Sequence, residues 1–405
     1  MHDALNQSQG SAWISPLKKG VIALCLLASA IAGANVFHWY RIQQIEPAYA
    51  HKIPHIKWSH PLDRLYPVWS APFVGKDGTL YIPATEAVHA LDPSGAQRWE
   101  YRLDADDSIM RNGFFQDGAG NFYFATIKSV YSLTANGLKR WEAGCRSAAF
   151  AQTEQGWQSD TNLLYTTCGT QFAALNKNDG SKMWTLPDFD AQDPRMLSAP
   201  PLMLRSGTLV FEKNQHLVAT DRNGATLWTY PSDNLHAANL MGAGPDDTVY
   251  AANLTTGFNA IDANTGRVTW TFQGEPIVGF GAAPVTAPDG TIYVVAARGP
   301  LFALFDDGSL NWAFPLPDKL ADPRGYTSPV LGSDGTIYVL LERSVIAVTR
   351  ARKILWRLDL PGPNIARGFL TLSADGTLYV VTDAAMVYAV QTASHGPARN
   401  PGGGF

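Results

Sequence analysis

Residues 246–272 read DDTVYAANLTTGFNAIDANTGRVTWTF, and this stretch decides the fold. It opens with an acidic turn, runs through an apolar segment at Tyr250 and a second one at Ala260, turns at Gly266 and reaches Trp270. Glycine permits the left-handed backbone that a tight hairpin turn needs. The stretch is therefore typical of short antiparallel strands joined by hairpins.

The same pattern recurs eight times along the chain. The turn-and-strand signal starts at Asp77, Gly120, Asn162, Ser206, Asp246, Asp289, Asp334 and Asp375. A small residue near the end of the next apolar run follows each signal, at Ala90, Ser132, Ala174, Ala219, Ala260, Ala303, Ala347 and Ala389. Tryptophans then recur every 42 to 44 residues, at Trp99, Trp141, Trp184, Trp228, Trp270, Trp312 and Trp356.

A glycine precedes most of these tryptophans by four residues, at Gly95, Gly137, Gly180, Gly224, Gly266 and Gly308, and Arg352 stands at the seventh position. A repeat of about 42 residues supplies one small sheet that buries neither face alone, so that neighbouring sheets must stack around an axis. The glycine leaves space beside the backbone, which predicts a docking contact with tryptophan repeated around the ring.

The eighth repeat has no tryptophan after it. Trp58 lies 41 residues before Trp99 and has the phase of the missing one. Residues 56–62 are therefore predicted to form the outer strand of the last sheet, which closes the ring and leaves no open seam.

The pattern predicts an all-β fold, an eight-bladed β-propeller with four-stranded antiparallel blades, preceded by one transmembrane helix. The predicted segments are a cytoplasmic N-terminal segment (1–19), a transmembrane anchor (20–37), a linker (38–55), the propeller (56–391) and a disordered tail (392–405).

Gly20 to Phe37 is an uncharged stretch that follows two lysines and precedes Trp39 and Tyr40. Its length is sufficient to span a bilayer, and the lysines favour a cytoplasmic start. A cleaved signal peptide is the alternative, since Ala32-Gly33-Ala34 fits a cleavage site. A transmembrane anchor and a cleaved signal peptide would both place the propeller outside the cytoplasm. We expect a single-pass protein of the inner membrane with its propeller in the periplasm.

The composition argues against nucleic-acid binding. Only 16% of residues are charged and the formal net charge is −4, which is the wrong sign for a general nucleic-acid binder.

Residues 246–272 resemble the pyrroloquinoline-quinone (PQQ) repeat, whose signature is a Gly-Thr-x-Tyr-Val strand followed by Ala-Leu-Asp-x-x-x-Gly-x-x-x-Trp. The resemblance extends over residues 56–391. This family contains quinoprotein dehydrogenases and also non-catalytic propellers, and the size and compartment are similar to its BamB-like branch. That branch carries a Leu-Arg-x-x-Ser-Ala-Pro loop that contacts its partner. Residues 195–200 retain the Arg-x-x-Ser-Ala-Pro part, while the preceding leucine and a lipoprotein cysteine signal are absent.

Six connections between predicted blades carry an arginine, at Arg64, Arg111, Arg146, Arg195, Arg324 and Arg367. All these connections leave on one face, so we predict an arginine-bearing face that binds a partner through guanidinium groups. Local pairing with neighbouring aspartates, such as Asp193 and Asp322, is the alternative.

Cys145 and Cys168 are predicted to end strands on that same face. A disulfide between them is plausible in an oxidising compartment, and two buried thiols are the alternative.

The sequence favours a protein-interaction scaffold of the cell envelope. We expect no catalytic residue, no metal site and no cofactor. The chain lacks the adjacent cysteines of the quinoprotein alcohol dehydrogenases and is short for those enzymes. A PQQ-dependent dehydrogenase and an envelope glycan-binding or polymer-binding module are the alternatives.

Overall fold

The structure is a computed structural model, and it contains no α-helix within the part of the chain that it describes. The described residues are 54–62, 71–145, 152–153, 162–168, 171–186, 201–213, 216–231, 241–244, 246–253, 257–274, 280, 283–296, 299–317, 327–363, 365, 368–392, 394 and 396. The predicted transmembrane segment at 20–37 lies outside this range. No helix among the described residues is long and apolar enough to cross a bilayer.

The described chain forms 32 strands. The first strand, β1 (His55–Pro61), belongs to the last blade, blade 8. Blade 1 contains β2 (Phe73–Val74), β3 (Leu80–Ala84), β4 (Ala87–Leu91) and β5 (Gln97–Arg102). Blade 2 contains β6 (Ile109–Gln116), β7 (Phe122–Thr126), β8 (Ser129–Leu133) and β9 (Lys139–Gly144). After β10 (Gln152–Thr153), blade 3 contains β11 (Leu163–Cys168), β12 (Gln171–Asn176) and β13 (Lys182–Thr185).

The later blades follow the same order. Blade 4 contains β14 (Leu202–Met203), β15 (Leu209–Lys213), β16 (His216–Thr220) and β17 (Thr226–Pro231), and blade 5 contains β18 (Met241–Ala243), β19 (Val249–Asn253), β20 (Gly257–Ile261) and β21 (Val268–Phe272). Blade 6 contains β22 (Val285–Thr286), β23 (Ile292–Val295), β24 (Leu301–Leu304) and β25 (Leu310–Phe314). Blade 7 contains β26 (Val330–Leu331), β27 (Ile337–Leu340), β28 (Ser344–Val348) and β29 (Ile354–Asp359), and blade 8 contains β30 (Gly368–Leu372), β31 (Thr377–Thr382) and β32 (Met386–Gln391).

Eight sheets confirm the predicted eight-bladed propeller. Six sheets are four-stranded and antiparallel, as predicted. The other two depart from the prediction because β10 pairs in parallel with β14 of blade 4, at Gln152↔Leu202 and Thr153↔Met203. Blade 3 therefore has three strands and blade 4 has five.

The strand register explains why tyrosine, a small residue and tryptophan recur together in most repeats. In blade 1 Ala90 pairs with Tyr81 on one side and with Trp99 on the other. The small side chain leaves the two aromatic rings room to meet across it, with ring centroids 5.8 Å apart. A β-bulge follows the small residue, between Ala90 and Leu91. Bulges increase local twist, which suits the strongly twisted outer strands of a blade.

The predicted closure of the ring is confirmed. Strand β1 pairs with β32 in antiparallel orientation, and Trp58 lies opposite Ala389. Lys57 donates a hydrogen bond to Thr377 and lies 4.0 Å from the carboxylate of Asp375. The two ends of the described chain thus share blade 8.

The core lies between blades rather than within them. Eight clusters of buried apolar side chains each join two consecutive blades, and one of them joins Tyr379 and Val387 of blade 8 to Leu80 and Ile82 of blade 1. Burial of large side chains at these contacts is what holds a ring of small sheets together.

The antiparallel order gives the propeller two distinct faces. We call the end where β1 begins, at His55, the lower face, and it also carries the turns at 92–96 and 134–138. The end where β1 stops, at Pro61, is the upper face, and it carries the turns at 85–86 and 127–128. Each outer strand leaves its blade at the upper face.

Candidate functional site

The tryptophans dock onto the next blade around the ring. The indole nitrogen of Trp99 in blade 1 donates a hydrogen bond to the carbonyl of Ala135 in blade 2, at 3.0 Å. A Cβ on Gly137 would lie 2.7 Å from the Trp99 ring. The ring therefore occupies the space that this glycine leaves. Trp58, Trp141, Trp228 and Trp270 make the same pair of contacts with the next repeat.

Two blades modify this contact. At Gly224 the nearest side chain is Leu186, and Trp184 lies slightly farther away. At the seventh position Arg352 keeps the left-handed backbone of the glycines, with φ of 65°, while Trp312 is buried. Trp356 of blade 7 is also buried. The spacing within one repeat predicted a glycine–tryptophan contact, but the contact joins residues of different repeats.

Cys145 and Cys168 are joined by a disulfide, with Cα atoms 4.9 Å apart. Cys145 follows β9 of blade 2 and Cys168 ends β11 of blade 3, so the bond links two blades at the upper face. Cys145 is 4% exposed and belongs to the apolar cluster between these blades.

A cavity of about 390 Å³ opens on the upper face between blade 8 and blade 1. Leu62 follows β1 and forms one wall, and Ala84, Ala87 and Leu103 add apolar surface. The segment 103–107, which lies in the connection from blade 1 to blade 2, forms another part of the wall. Its backbone is held to the β3–β4 turn, because Leu103 N–H bonds to the Glu86 carbonyl and Ile109 N–H bonds to the Thr85 carbonyl.

Carboxylates outnumber basic groups in this cavity. Five acidic side chains line it, at Glu86, Glu100, Asp104, Asp106 and Asp107, together with Arg102 and His89. Arg102 is paired with Glu100, at 2.7 Å between Nε and Oε1. Like charges held close together attract a cation from solution.

One of these acids is fixed firmly. Asp107 is 5% exposed and accepts hydrogen bonds from the backbone of Ser108 and from the Tyr131 hydroxyl. Burial raises the pKa of Tyr131, and the carboxylates of Glu142 and Asp107 raise it further, so the hydroxyl remains protonated and continues to donate. The cavity is therefore suited to the apolar stem and cationic head of a lysine or arginine side chain.

This cavity was not predicted from the sequence. Asp104, Asp106 and Asp107 form a visible acidic run, but Glu86 lies in the β3–β4 turn, Glu100 lies on β5, and Leu62 follows β1. Only the ring closure brings Leu62 beside blade 1.

A protein-family model described as outer membrane protein assembly factor BamB matches residues 84–240 and 213–352, which together exceed half of the chain. The chain belongs to this BamB family of PQQ-repeat propellers. None of the curated protein sequences matches it.

Solved structures show the same fold as this BamB-family chain. BamB from Moraxella catarrhalis is 18% identical, with a TM-score of 0.61, and the match covers 84% of this chain and all of the other. A europium-containing methanol dehydrogenase is 12% identical, with a TM-score of 0.60, over 84% of this chain and 93% of the other. A streptogramin B lyase is 13% identical, with a TM-score of 0.53, over 84% and 98%. Enzymes and assembly factors share this architecture, so the likeness establishes the fold alone.

The predicted arginine face of the BamB-family chain falls almost entirely on segments outside the described residues. This applies to Arg64, Arg146, Arg195, Arg324 and Arg367. The backbone of Arg111 lies in β6, and its side chain is not described. The flanking outer strands, where they are described, do point their C-terminal ends to the upper face.

No group of histidine, cysteine or acidic side chains within the described ranges could hold a metal ion. The cavity acids therefore do not form a metal centre among themselves.

Proposed function

We propose that this protein is a membrane-anchored scaffold of the cell envelope that holds a protein partner on its upper face. The observation that carries the proposal is the direction of β1. This strand begins at the lower face, at His55, and ends at Pro61 on the upper face, where the next residue, Leu62, lines the cavity. An anchor at residues 20–37 therefore attaches to one face and leaves the opposite face open to a partner.

The compartment is supported by the disulfide between Cys145 and Cys168. Disulfides persist in the periplasm and other oxidising compartments and are rare in the cytosol. The lysines before residue 20 support the same orientation, because positive charge favours the cytoplasmic side of a span.

The partner is proposed to present a basic side chain to the upper-face cavity. Its aliphatic stem would lie on Leu62 and Leu103, and its cationic head would meet Glu86 and Asp104. Family membership supports a protein partner, since the matching family is named for an assembly factor. The arginine-bearing connections would contribute contacts to acidic or carbonyl groups on the same face.

The experiment is crosslinking in cells from one position on each face. A photo-crosslinking residue replaces Asp104 on the upper face and, as the matched control, the exposed Asn178 on the lower face. We expect a discrete protein adduct from position 104, identifiable by mass spectrometry, and none from position 178. An adduct of equal yield from both positions, or only from position 178, would contradict the proposal.

Charge reversal then tests the chemistry of the upper face. Asp104→Lys should weaken the adduct formed from a neighbouring crosslinking position, because it places a cation where the partner's cation binds. The double variant Arg195→Glu and Arg324→Glu should weaken capture without unfolding the domain. Unchanged adducts in both variants would show that this face does not hold the partner.

A further inference from the structure

Blade 8 lacks a covalent link that the other blades have at the lower face. In blade 1 a turn at residues 92–96 connects β4 to β5. In blade 8 the corresponding strands are β32 and β1, which come from opposite ends of the chain. No turn can join them, so the residues that follow β32 are free to take another path.

Those residues pack against blade 8 and blade 7. The Thr392 hydroxyl donates a hydrogen bond to the Gly376 carbonyl at 2.6 Å, and the backbone N–H of Ser394 donates to the Thr392 hydroxyl oxygen. The Gly396 carbonyl accepts a hydrogen bond from Ser333 N–H of blade 7 at 2.8 Å. The described residues beyond β32 therefore contact two blades.

Ser394 is the centre of this contact. It is 2% exposed, and its hydroxyl lies 2.5 Å from the Tyr338 hydroxyl and 2.8 Å from the Asp334 carboxylate, both in blade 7. The corresponding tyrosine of blade 2, Tyr123, also contacts the next blade, since its hydroxyl donates a hydrogen bond to the Lys177 carbonyl in the turn of blade 3, at 3.3 Å. The C-terminal segment thus occupies the position that a turn occupies in other blades.

Two glycines make room for it. A Cβ on Gly376 would lie 1.9 Å from the Ser394 carbonyl oxygen, and a Cβ on Gly332 would lie 2.5 Å from the Ser394 hydroxyl. A side chain at Gly376 would collide with the Ser394 backbone, and a side chain at Gly332 would displace the Ser394 hydroxyl.

We propose that Thr392, Ser394 and Gly396 form a latch that replaces the missing turn of blade 8 and ties it to blade 7. The end of β32 that the latch fixes lies opposite His55, where β1 begins. The latch therefore secures the seam at the point where the N-terminal segment enters the ring. This inference stands independently of the proposed scaffold function.

The test compares two shortened proteins by hydrogen exchange. One ends at Gln391 and lacks the latch, and the control ends at Gly396 and retains it. We expect amide exchange in β1 and β32 to be about tenfold faster without the latch, because buried hydrogen bonds are lost at the seam. Exchange in β19 of blade 5, across the ring, should not change. Equal exchange at the seam in both proteins would overturn the latch.

Single substitutions keep the test decisive if the shorter protein fails to fold. Ser394→Ala and Tyr338→Phe should each speed exchange at the seam and should not be additive, because they remove two halves of one contact. Tyr123→Phe is the control, since it removes the corresponding hydroxyl in blade 2, away from β1 and β32, and should leave exchange at the seam unchanged. Additive effects of Ser394→Ala and Tyr338→Phe would count against the proposed contact.

Discussion

Gly137 shows how a single missing side chain positions two blades. Its φ of 79° is a conformation that side chains other than glycine adopt at a cost, and the Trp99 ring fills the space beside it. The same residue thus satisfies a turn in blade 2 and a packing contact with blade 1. Arg352 demonstrates that the turn can form without glycine, with φ of 65°, when the repeat diverges.

Gly137→Ala is expected to destabilise the propeller by about 2 kcal/mol, because it combines backbone strain with overpacking against Trp99. Thermal or denaturant unfolding measures the change. Gly118→Ala is the matched control, since no atom lies within 4 Å of its added Cβ, and its effect should stay within about 0.5 kcal/mol. If the two variants unfold alike, the docking contact does not stabilise the ring.

At the scale of elements, each blade is held to its neighbours by contacts that lie far apart in the sequence. The bond between Cys145 and Cys168 ties the end of β9 to the end of β11, in different blades. Blade 3 is also where the regular order fails, because β10 pairs with β14 of blade 4. The disulfide therefore reinforces the least regular part of the ring.

Reduction of this disulfide is expected to lower the free energy of unfolding by roughly 3 kcal/mol, since the bond closes a loop with a sequence separation of 23. Unfolding with and without a thiol reductant measures the difference. The double variant Cys145→Ala and Cys168→Ala should start from the lower stability and not respond to the reductant. A wild-type protein with the same unfolding midpoint in both conditions would contradict this expectation.

Among the described residues, seven blades share one chemical feature, a buried tyrosine on the strand that follows the opening turn of the repeat. Burial, together with the charges of Asp375 and Asp92, raises the pKa of Tyr379 to about 12. Burial and the hydrogen bond to Asp117 raise the pKa of Tyr123 to about 12. Because these pKa values are higher in the folded protein than in the unfolded chain, protonation of each hydroxyl stabilises the folded state.

The propeller is therefore expected to unfold cooperatively in alkali. The contribution of these tyrosines to the free energy of unfolding is complete below pH 10, the ordinary tyrosine pKa. As the pH rises towards 12, this contribution falls by about 1.4 kcal/mol per pH unit for each of the two tyrosines. Tyrosinate absorbance and circular dichroism, followed together from pH 9 to pH 12, should change in one transition. Tyrosinate formation near pH 10 with the β-structure intact would show that these hydroxyls are accessible.

Most of the architecture could be predicted because the repeat is periodic. The tryptophan spacing predicted eight blades, and the phase of Trp58 predicted that β1 completes blade 8. The side of each strand that faces the next blade follows from alternation along the strand, which is a local property. The residue that each tryptophan contacts does not follow from the local pattern, because it lies in the next repeat, as the contact between Trp99 and Gly137 shows.

The sequence by itself determined the number of blades, the residues that recur in them and the strand that closes the ring, because periodic hydrophobicity and glycine turns act over a few residues. Only the tertiary structure decided that Leu62, Glu86 and Asp104 share a cavity, that β10 joins blade 4, and that Ser394 reaches blade 7. These features depend on which segments ring closure brings side by side, and no pattern within one repeat encodes that proximity.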